Sequence, residues 1–348
     1  GVDVAEYFGA RWLVSRCDVL HVHWPESAFN HGLVSGWLTQ HTLLAAMDLA
    51  RARGTRCFWT AHNLAAHERR YPRQEAAAWR AFTQRLDGFV SLTEPGLAAA
   101  RARFPALRDV PGFVIAHPHY RGVYPDQVSR SEARDALSLP ASARVIAYVG
   151  RILDYKNVPA LVHAFRACEG ESHELTLVVA GQPRSAPQAA AVRGAAGADP
   201  RIHLWLRHLG SHELQLFLRA ADLVVLPYRE IFNSGSALLA LSFDRPVLLP
   251  ASPAASDLQR SCGEAWLHTY DTLTPEVLRS VLARSATLPE RTQGEHLVGR
   301  DPSDIAAQTV AAYRSVLGGQ RAGRTAQQPS AAERVDPVRA SPWPGRRG

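Results

Sequence analysis

The strongest constraint on the fold of this chain is an alternation. Short apolar runs at Asp18–His23, Arg56–Ala61, Gly88–Leu92 and Gly112–Ala116 each end in polar, glycine or proline residues, and so do those at Val145–Val149, Leu175–Ala180, Ile202–Leu206, Leu223–Leu226 and Val247–Leu249. Between them lie segments with apolar residues at helical spacing, near 43–53, 73–86, 95–103, 211–220 and 235–242, and a last one spans 303–317 with Ile305, Thr309, Ala312, Tyr313 and Val316 on one face. This pattern predicts parallel strands joined by right-handed helical crossovers. It breaks between His117 and about Ser142, where Pro118, Gly122, Pro125 and Pro140 surround one short helical stretch near 132–137. The break predicts two doubly wound α/β domains, 1–130 and 131–318, facing across a cleft. An Arg- and Pro-rich segment, 319–348, reads as disordered. The chain starts at Gly1 without a Met, and the first domain reads as shortened at its start.

In such sheets ligands bind outside the carboxyl ends of the strands, and the polar residues of interest fall there. His23, Trp24 and Glu26 follow one strand, His62 and Asn63 a second, Gly150 and Arg151 a third, Gly181 and Gln182 a fourth, and Tyr228, Arg229 and Glu230 a fifth. The formal charge is +7, and Lys156 is the single lysine among 39 basic residues. A lysine kept in so arginine-rich a chain marks a place that needs a compact ammonium rather than a planar guanidinium. It lies in Gly150-Arg151-Ile152-Leu153-Asp154-Tyr155-Lys156-Asn157, between a strand and a helix start. Two cations there suit an anion; the alternative is a solvated loop lysine. Asn233-Ser234-Gly235-Ser236 opens an apolar helix and offers free N–H groups and hydroxyls to a second anionic group, or serves as an ordinary helix cap.

Other chemistries find less support. Cys17, Cys57, Cys168 and Cys262 make no CxxC and read as thiols of a reducing compartment, so the expected location is cytoplasmic. No apolar run approaches the roughly 18–20 residues of a membrane span. No aromatic–basic RNA motif is present, so nucleic acid is not an expected partner. His21 and His23 alternate on a strand but lack a carboxylate pattern, which favours hydrogen-bonded histidines over a metal; no metal or cofactor is expected.

Strand-Gly-Arg-x4-Lys-Asn, then Ala221-Asp222-Leu223-Val224-Val225-Leu226-Pro227, Glu230, a helix and Arg245-Pro246-Val247, resembles the donor half of GT-B glycosyltransferases of the family-4 type and its bacterial exopolysaccharide relatives. The resemblance implies that Arg151 and Lys156 bind a nucleotide-sugar diphosphate and stabilise the leaving group. It makes Gly150, Tyr228, Glu230, Asn233, Ser234, Gly235 and Ser236 donor-binding candidates, and the first domain the acceptor domain. There His62 faces the reacting sugar, and Trp24, Glu26 and Asn63 are acceptor-side candidates. Family-4 enzymes carry two glutamates eight positions apart; here Glu230 stands for the first only with a shift of one, and Leu239 occupies the second position. Asn-Ser-Gly-Ser replaces the usual Gly-Phe-Gly. These departures resemble a branch typified by the inverting β-mannosyltransferase of xanthan-type polysaccharide assembly, which implies GDP-mannose as donor and a lipid-linked or polysaccharide acceptor.

An inverting displacement needs a base, for which Glu68 is preferred to Glu26. Trp12, Trp37, Arg11 and Arg16 suit peripheral contact with anionic lipid at the inner face of the cell membrane. A sugar-nucleotide epimerase of the same fold and a non-catalytic anion-binding partner of an assembly complex are the competing readings.

Overall fold

The computed structural model describes residues 2–5, 16–29, 33–65, 71–168, 175–229 and 232–318. Glu68, Glu230, Arg11, Trp12 and the segment 319–348 lie outside them. Two parallel sheets form the frame. The first holds β1 (Val19–His23), β2 (Arg56–Ala61), β3 (Gly88–Ser91) and β4 (Gly112–Val114) in that order. The second holds β5 (Arg144–Val149), β6 (Leu175–Ala180), β7 (Ile202–Trp205), β8 (Leu223–Val225), β9 (Val247–Pro250) and β10 (Leu267–Tyr270), in the order β10-β9-β8-β5-β6-β7. The chain moves outward from β5 in one direction and then returns to β8 on its other side. The crevice between β5 and β8 is therefore a topological switch point, where doubly wound sheets bind ligands.

Strand composition follows from burial. All six residues of β6, Leu-Thr-Leu-Val-Val-Ala, are buried, and so are the last five of β5. Strands covered on both faces read as continuous apolar runs. The first lobe is built around aromatic residues: Trp59, Trp79, Phe29, Phe82 and Phe89 are essentially inaccessible, and Trp79 meets Phe29 edge-on at 5.3 Å. In the second lobe Asp222 joins three elements: it accepts from Arg134 at 2.8 Å and from the Val145 backbone N–H at 2.6 Å, and it also pairs with Arg130.

The helices are α1 (Glu26–Phe29), α2 (Leu33–Ala52), α3 (Pro72–Thr83), α4 (Glu94–Arg103), α5 (Arg130–Ala136), α6 (Val158–Arg166), α7 (Ala186–Ala196), α8 (Leu214–Ala220), α9 (Gly235–Ser242), α10 (Pro253–Cys262), α11 (Pro275–Ser285) and α12 (Pro302–Gly318). The span of α9 agrees with its helical spacing. α2 begins ten residues before the segment the sequence suggests, because its first half carries Trp37 and Leu38 on the surface and lacks a single apolar stripe. α12 follows the second lobe in the chain but packs on the first: Ile305 and Ala312 join Val90 and Ile115 in a small core of their own. Tyr313 meets Phe58 edge-on at 5.0 Å, and its hydroxyl hydrogen-bonds the Nδ1 of His21. Sequence position alone places 302–318 with the second domain; its apolar face is buried against the first.

Candidate active site

The ends of β5 and β6 are both glycines with positive φ, Gly150 (145°) and Gly181 (150°). A Cβ on Gly181 would lie 1.9 Å from the Gly150 carbonyl oxygen, so only glycine allows the two loops to meet. They are knitted by backbone bonds from Gly150 N to Ala180 O (3.0 Å) and from Ile152 N to Gln182 O (2.9 Å). The chain then makes a single 3-10 turn at Asp154–Lys156, and Asn157, left-handed at φ 50°, turns it into α6. This path carries Lys156 inward, where its residue is only 8% exposed.

The Lys156 ammonium lies 5.2 Å from the Tyr228 ring centroid, a cation–π contact. Among the described residues no carboxylate pairs with it. Burial lowers its pKa to about 8, and the Arg151 guanidinium adds to the shift. Arg151 itself is exposed, and its side chain stands outside the wall of the cavity in which Lys156 sits. That cavity, about 360 Å³, is lined by Lys156, Tyr228, Asn233, Ser234, Gly235 and Ser236, together with Tyr120, Tyr124, Tyr155, Phe232 and Leu239. Ser236 Oγ and Lys156 Nζ converge on Gly150, within 3.6 Å and 3.5 Å of where its Cβ would stand.

Ser234 caps α9, its Oγ accepting from Ala237 N at 3.1 Å, which leaves the other first-turn N–H groups open toward the cavity. The Tyr228 hydroxyl is buried, and the Ser236 and Ser234 hydroxyls beside it are its hydrogen-bonding neighbours. Burial raises its pKa, and those hydroxyls offset the rise in part. A buried tyrosine hydroxyl, an ammonium that no described carboxylate pairs with and a helix N-terminus in one cavity form a site for a polyanion of diphosphate size.

Across the cleft, β1 and β2 end in a cluster of rings. Trp24, in the left-handed region at φ 49°, stacks on His62 with centroids 4.4 Å apart and planes at 17°. A tryptophan there is strained, as functional positions often are. His62 Nε2 is 2.8 Å from His23 Nδ1, and His21 Nε2 is 2.8 Å from Thr60 Oγ1. The pKa values of His62 and His21 are lowered to about 3, by burial first and then by neighbouring histidines. Glu26, at the start of α1, accepts from Asn63 Nδ2 at 3.1 Å, while its Oε2 is buried without a partner among the described residues. Burial raises its pKa against the lowering effect of that hydrogen bond. Among the described residues no three His, Cys, Asp or Glu side chains are disposed to hold a metal.

The structure thus brings Lys156, Tyr228, Ser234, Gly235 and Ser236 together at the switch point, and Trp24, Glu26, His62 and Asn63 together at the opposing strand ends. Gly150 shapes the floor. Tyr120 and Tyr124 were not among the residues singled out from sequence; they lie in the connection between the lobes, where the only signal was a tyrosine pair among prolines and glycines.

Residues 143–271 match the family model of group 1 glycosyl transferases. Over 307 residues, 88% of this chain and 82% of the relative, the chain is 30% identical to the GDP-mannose:glycolipid 4-beta-D-mannosyltransferase of Xanthomonas campestris pv. campestris. The chain is a GT-B glycosyltransferase. Its fold is shared by the sucrose-phosphate synthase of Thermosynechococcus elongatus (TM-score 0.63, 19% identity, 87% of this chain and 74% of that one). The Anabaena HepE protein, solved with UDP and glucose, has it too (TM-score 0.59, 12% identity, 87% and 77%). In this glycosyltransferase the two parallel-sheet lobes stand where the GT-B architecture has its facing domains. No described helix is long and apolar enough to cross a membrane.

Proposed function

We propose that this glycosyltransferase moves a mannosyl group from GDP-mannose to a glycolipid in the assembly of a cell-surface polysaccharide. The observation that carries the donor half is the switch-point cavity, where the sole lysine, a buried tyrosine hydroxyl and the N-terminus of α9 converge. The identity of the donor and acceptor rests on the Xanthomonas relative, whose name specifies both.

On this reading the diphosphate lies between Lys156 and the Ser234–Ser236 turn. Its negative charge grows as the bond from the anomeric carbon to phosphate oxygen breaks, and the fixed ammonium stabilises that charge without reorganising. Arg151, exposed at the rim, contributes a second cation on the leaving group. A β-linked product from an α-linked sugar nucleotide requires a single displacement with inversion, and the acceptor hydroxyl must lose its proton. Glu68 is the preferred base from sequence. Glu26 is the described alternative: burial raises its pKa, which makes it a stronger base than a free carboxylate, and its Oε2 is open to a proton. Trp24 and His62 offer a flat aromatic face for a sugar ring at the acceptor side. Exposed Trp37 and Leu38 on α2 support a peripheral contact with anionic lipid at the inner membrane face.

The test is a transfer assay on the full chain with GDP-mannose, UDP-glucose and UDP-glucuronate, each with and without a lipid-diphosphate oligosaccharide. Acceptor-dependent release of GDP from GDP-mannose is expected. Full turnover of a nucleotide sugar without acceptor would replace the proposal with epimerisation; transfer from a UDP-sugar alone would refute the donor.

A further inference from the structure

The turn that opens α9 does more than face the donor cavity. Phe232 and Asn233, the two residues before the capping serine, both reach the opposite lobe. The Asn233 carboxamide donates from Nδ2 to the His62 carbonyl at 3.0 Å and lies 3.4 Å from the Ala61 carbonyl. The Phe232 ring comes within 3.4 Å of where a Cβ would stand on Gly96, in the first turn of α4. The next residues face the donor side, with Ser234 capping α9 and Ser236 beside Lys156 and Gly150. The linker fixes the middle, since the Tyr120 hydroxyl is 3.1 Å from a Cβ built on Gly235. Five consecutive residues therefore touch the end of β2, the connection between the lobes and the diphosphate site. Asn233 was a donor-binding candidate from sequence, but its carboxamide is taken up by the other lobe.

We propose that Asn233 is a positioning residue for the transfer reaction: it ties the loop that closes on the donor diphosphate to the backbone of His62, so that donor occupancy sets the acceptor side. The proposal rests on the donor reading above. The carboxamide places a donor on the His62 carbonyl, where serine is too short to reach and aspartate would set an acceptor against an acceptor. A shift of the serine turn on diphosphate binding would be carried to the end of β2 through this hydrogen bond.

The test uses the full chain and its Asn233→Ala and Asn233→Asp variants. GDP, with UDP in parallel, is titrated by calorimetry, and the rate of His62 modification by diethyl pyrocarbonate is read by mass spectrometry with and without saturating nucleotide. Nucleotide affinity is expected to fall by much less than transfer in both variants, because Lys156, Ser234 and Ser236 are untouched. Nucleotide is expected to change the His62 modification rate at least threefold in the wild type and to leave it unchanged in both variants. Transfer should fall about tenfold in Asn233→Ala, the scale of one lost hydrogen bond. An equal nucleotide effect on His62 in wild type and variants overturns the tie and leaves the donor reading intact. Loss of nucleotide affinity in step with transfer assigns Asn233 to donor binding instead, and also overturns it. Binding of neither nucleotide to the wild type would remove the donor reading and this inference together.

Discussion

Replacing Lys156 with methionine should make the ligand-free protein more stable while abolishing its affinity for the donor. In the folded state the ammonium is buried and its pKa falls from 10.5 to about 8. At about 1.4 kcal/mol per pKa unit, holding it charged at pH 7 costs about 3 kcal/mol. The contact with the Tyr228 ring, 5.2 Å away, is not part of that cost and is lost with the charge, an offset of about 1 kcal/mol. Methionine is apolar, unbranched and of similar length, so it fills the space without the charge. The net gain is about 2 kcal/mol, which for a lobe of this size is a rise in Tm of about 4–8 °C. The gain has a pH signature. Between pH 8 and 10.5 the unfolded chain holds the Lys156 proton and the folded one does not, so wild-type stability from this group rises through that window. The variant lacks the dependence, and its advantage should be full below pH 8 and gone above 10.5. Scanning calorimetry of both proteins at pH 7 and pH 10.5, with GDP titrations at pH 7, measures each part. A lower Tm for Lys156→Met at pH 7 would show that the ammonium holds the fold together, and the argument for a charge kept for an anion would fail.

Three further outcomes follow from the geometry. GDP affinity of the wild type should weaken about tenfold from pH 7 to pH 9, as the Lys156 ammonium with its pKa of about 8 loses its proton; a flat titration curve removes it from the anion site. Gly181→Ala sets a methyl group 1.9 Å from the Gly150 carbonyl, so it should cost about 2–4 kcal/mol and weaken GDP binding as the loop shifts, read by denaturant melts and calorimetry. Asp222→Asn leaves Arg134 without its carboxylate and Arg130 with Glu290 alone, and should cost about 3 kcal/mol in urea unfolding, with GDP affinity of the folded protein preserved because the cluster lies away from the cavity.

How much of this was legible in the sequence differs by element. The buried strands announced themselves, since Val145–Val149 and, but for Thr176, Leu175–Ala180 are runs of apolar and aromatic residues closed by glycines. The start of α9 was also readable, because Ser-Gly-Ser before an apolar run is a local signal that needs no tertiary context. The first half of α2 was not: Trp37 and Leu38 are exposed, and periodicity fails where apolar residues face water. The burial of Lys156 came from a 3-10 turn and a left-handed Asn157, neither of which has a strong sequence mark. Tyr120 and Tyr124 enter the cavity only because the linker folds back beside α9. Asn233 showed its side chain's partner only in three dimensions, since a carbonyl of the other lobe has no sequence signature at all.

The return of α12 to the first lobe means that the polypeptide is buckled like a belt. Phe58, Phe113 and Ile115 gain their cover from residues some two hundred positions later. A fragment ending at the linker would therefore display a bare aromatic face, and the first lobe made alone should aggregate or call for the last helix in trans. During synthesis that face stays uncovered until the second lobe is nearly complete, so the two halves mature as one unit rather than as beads on a string.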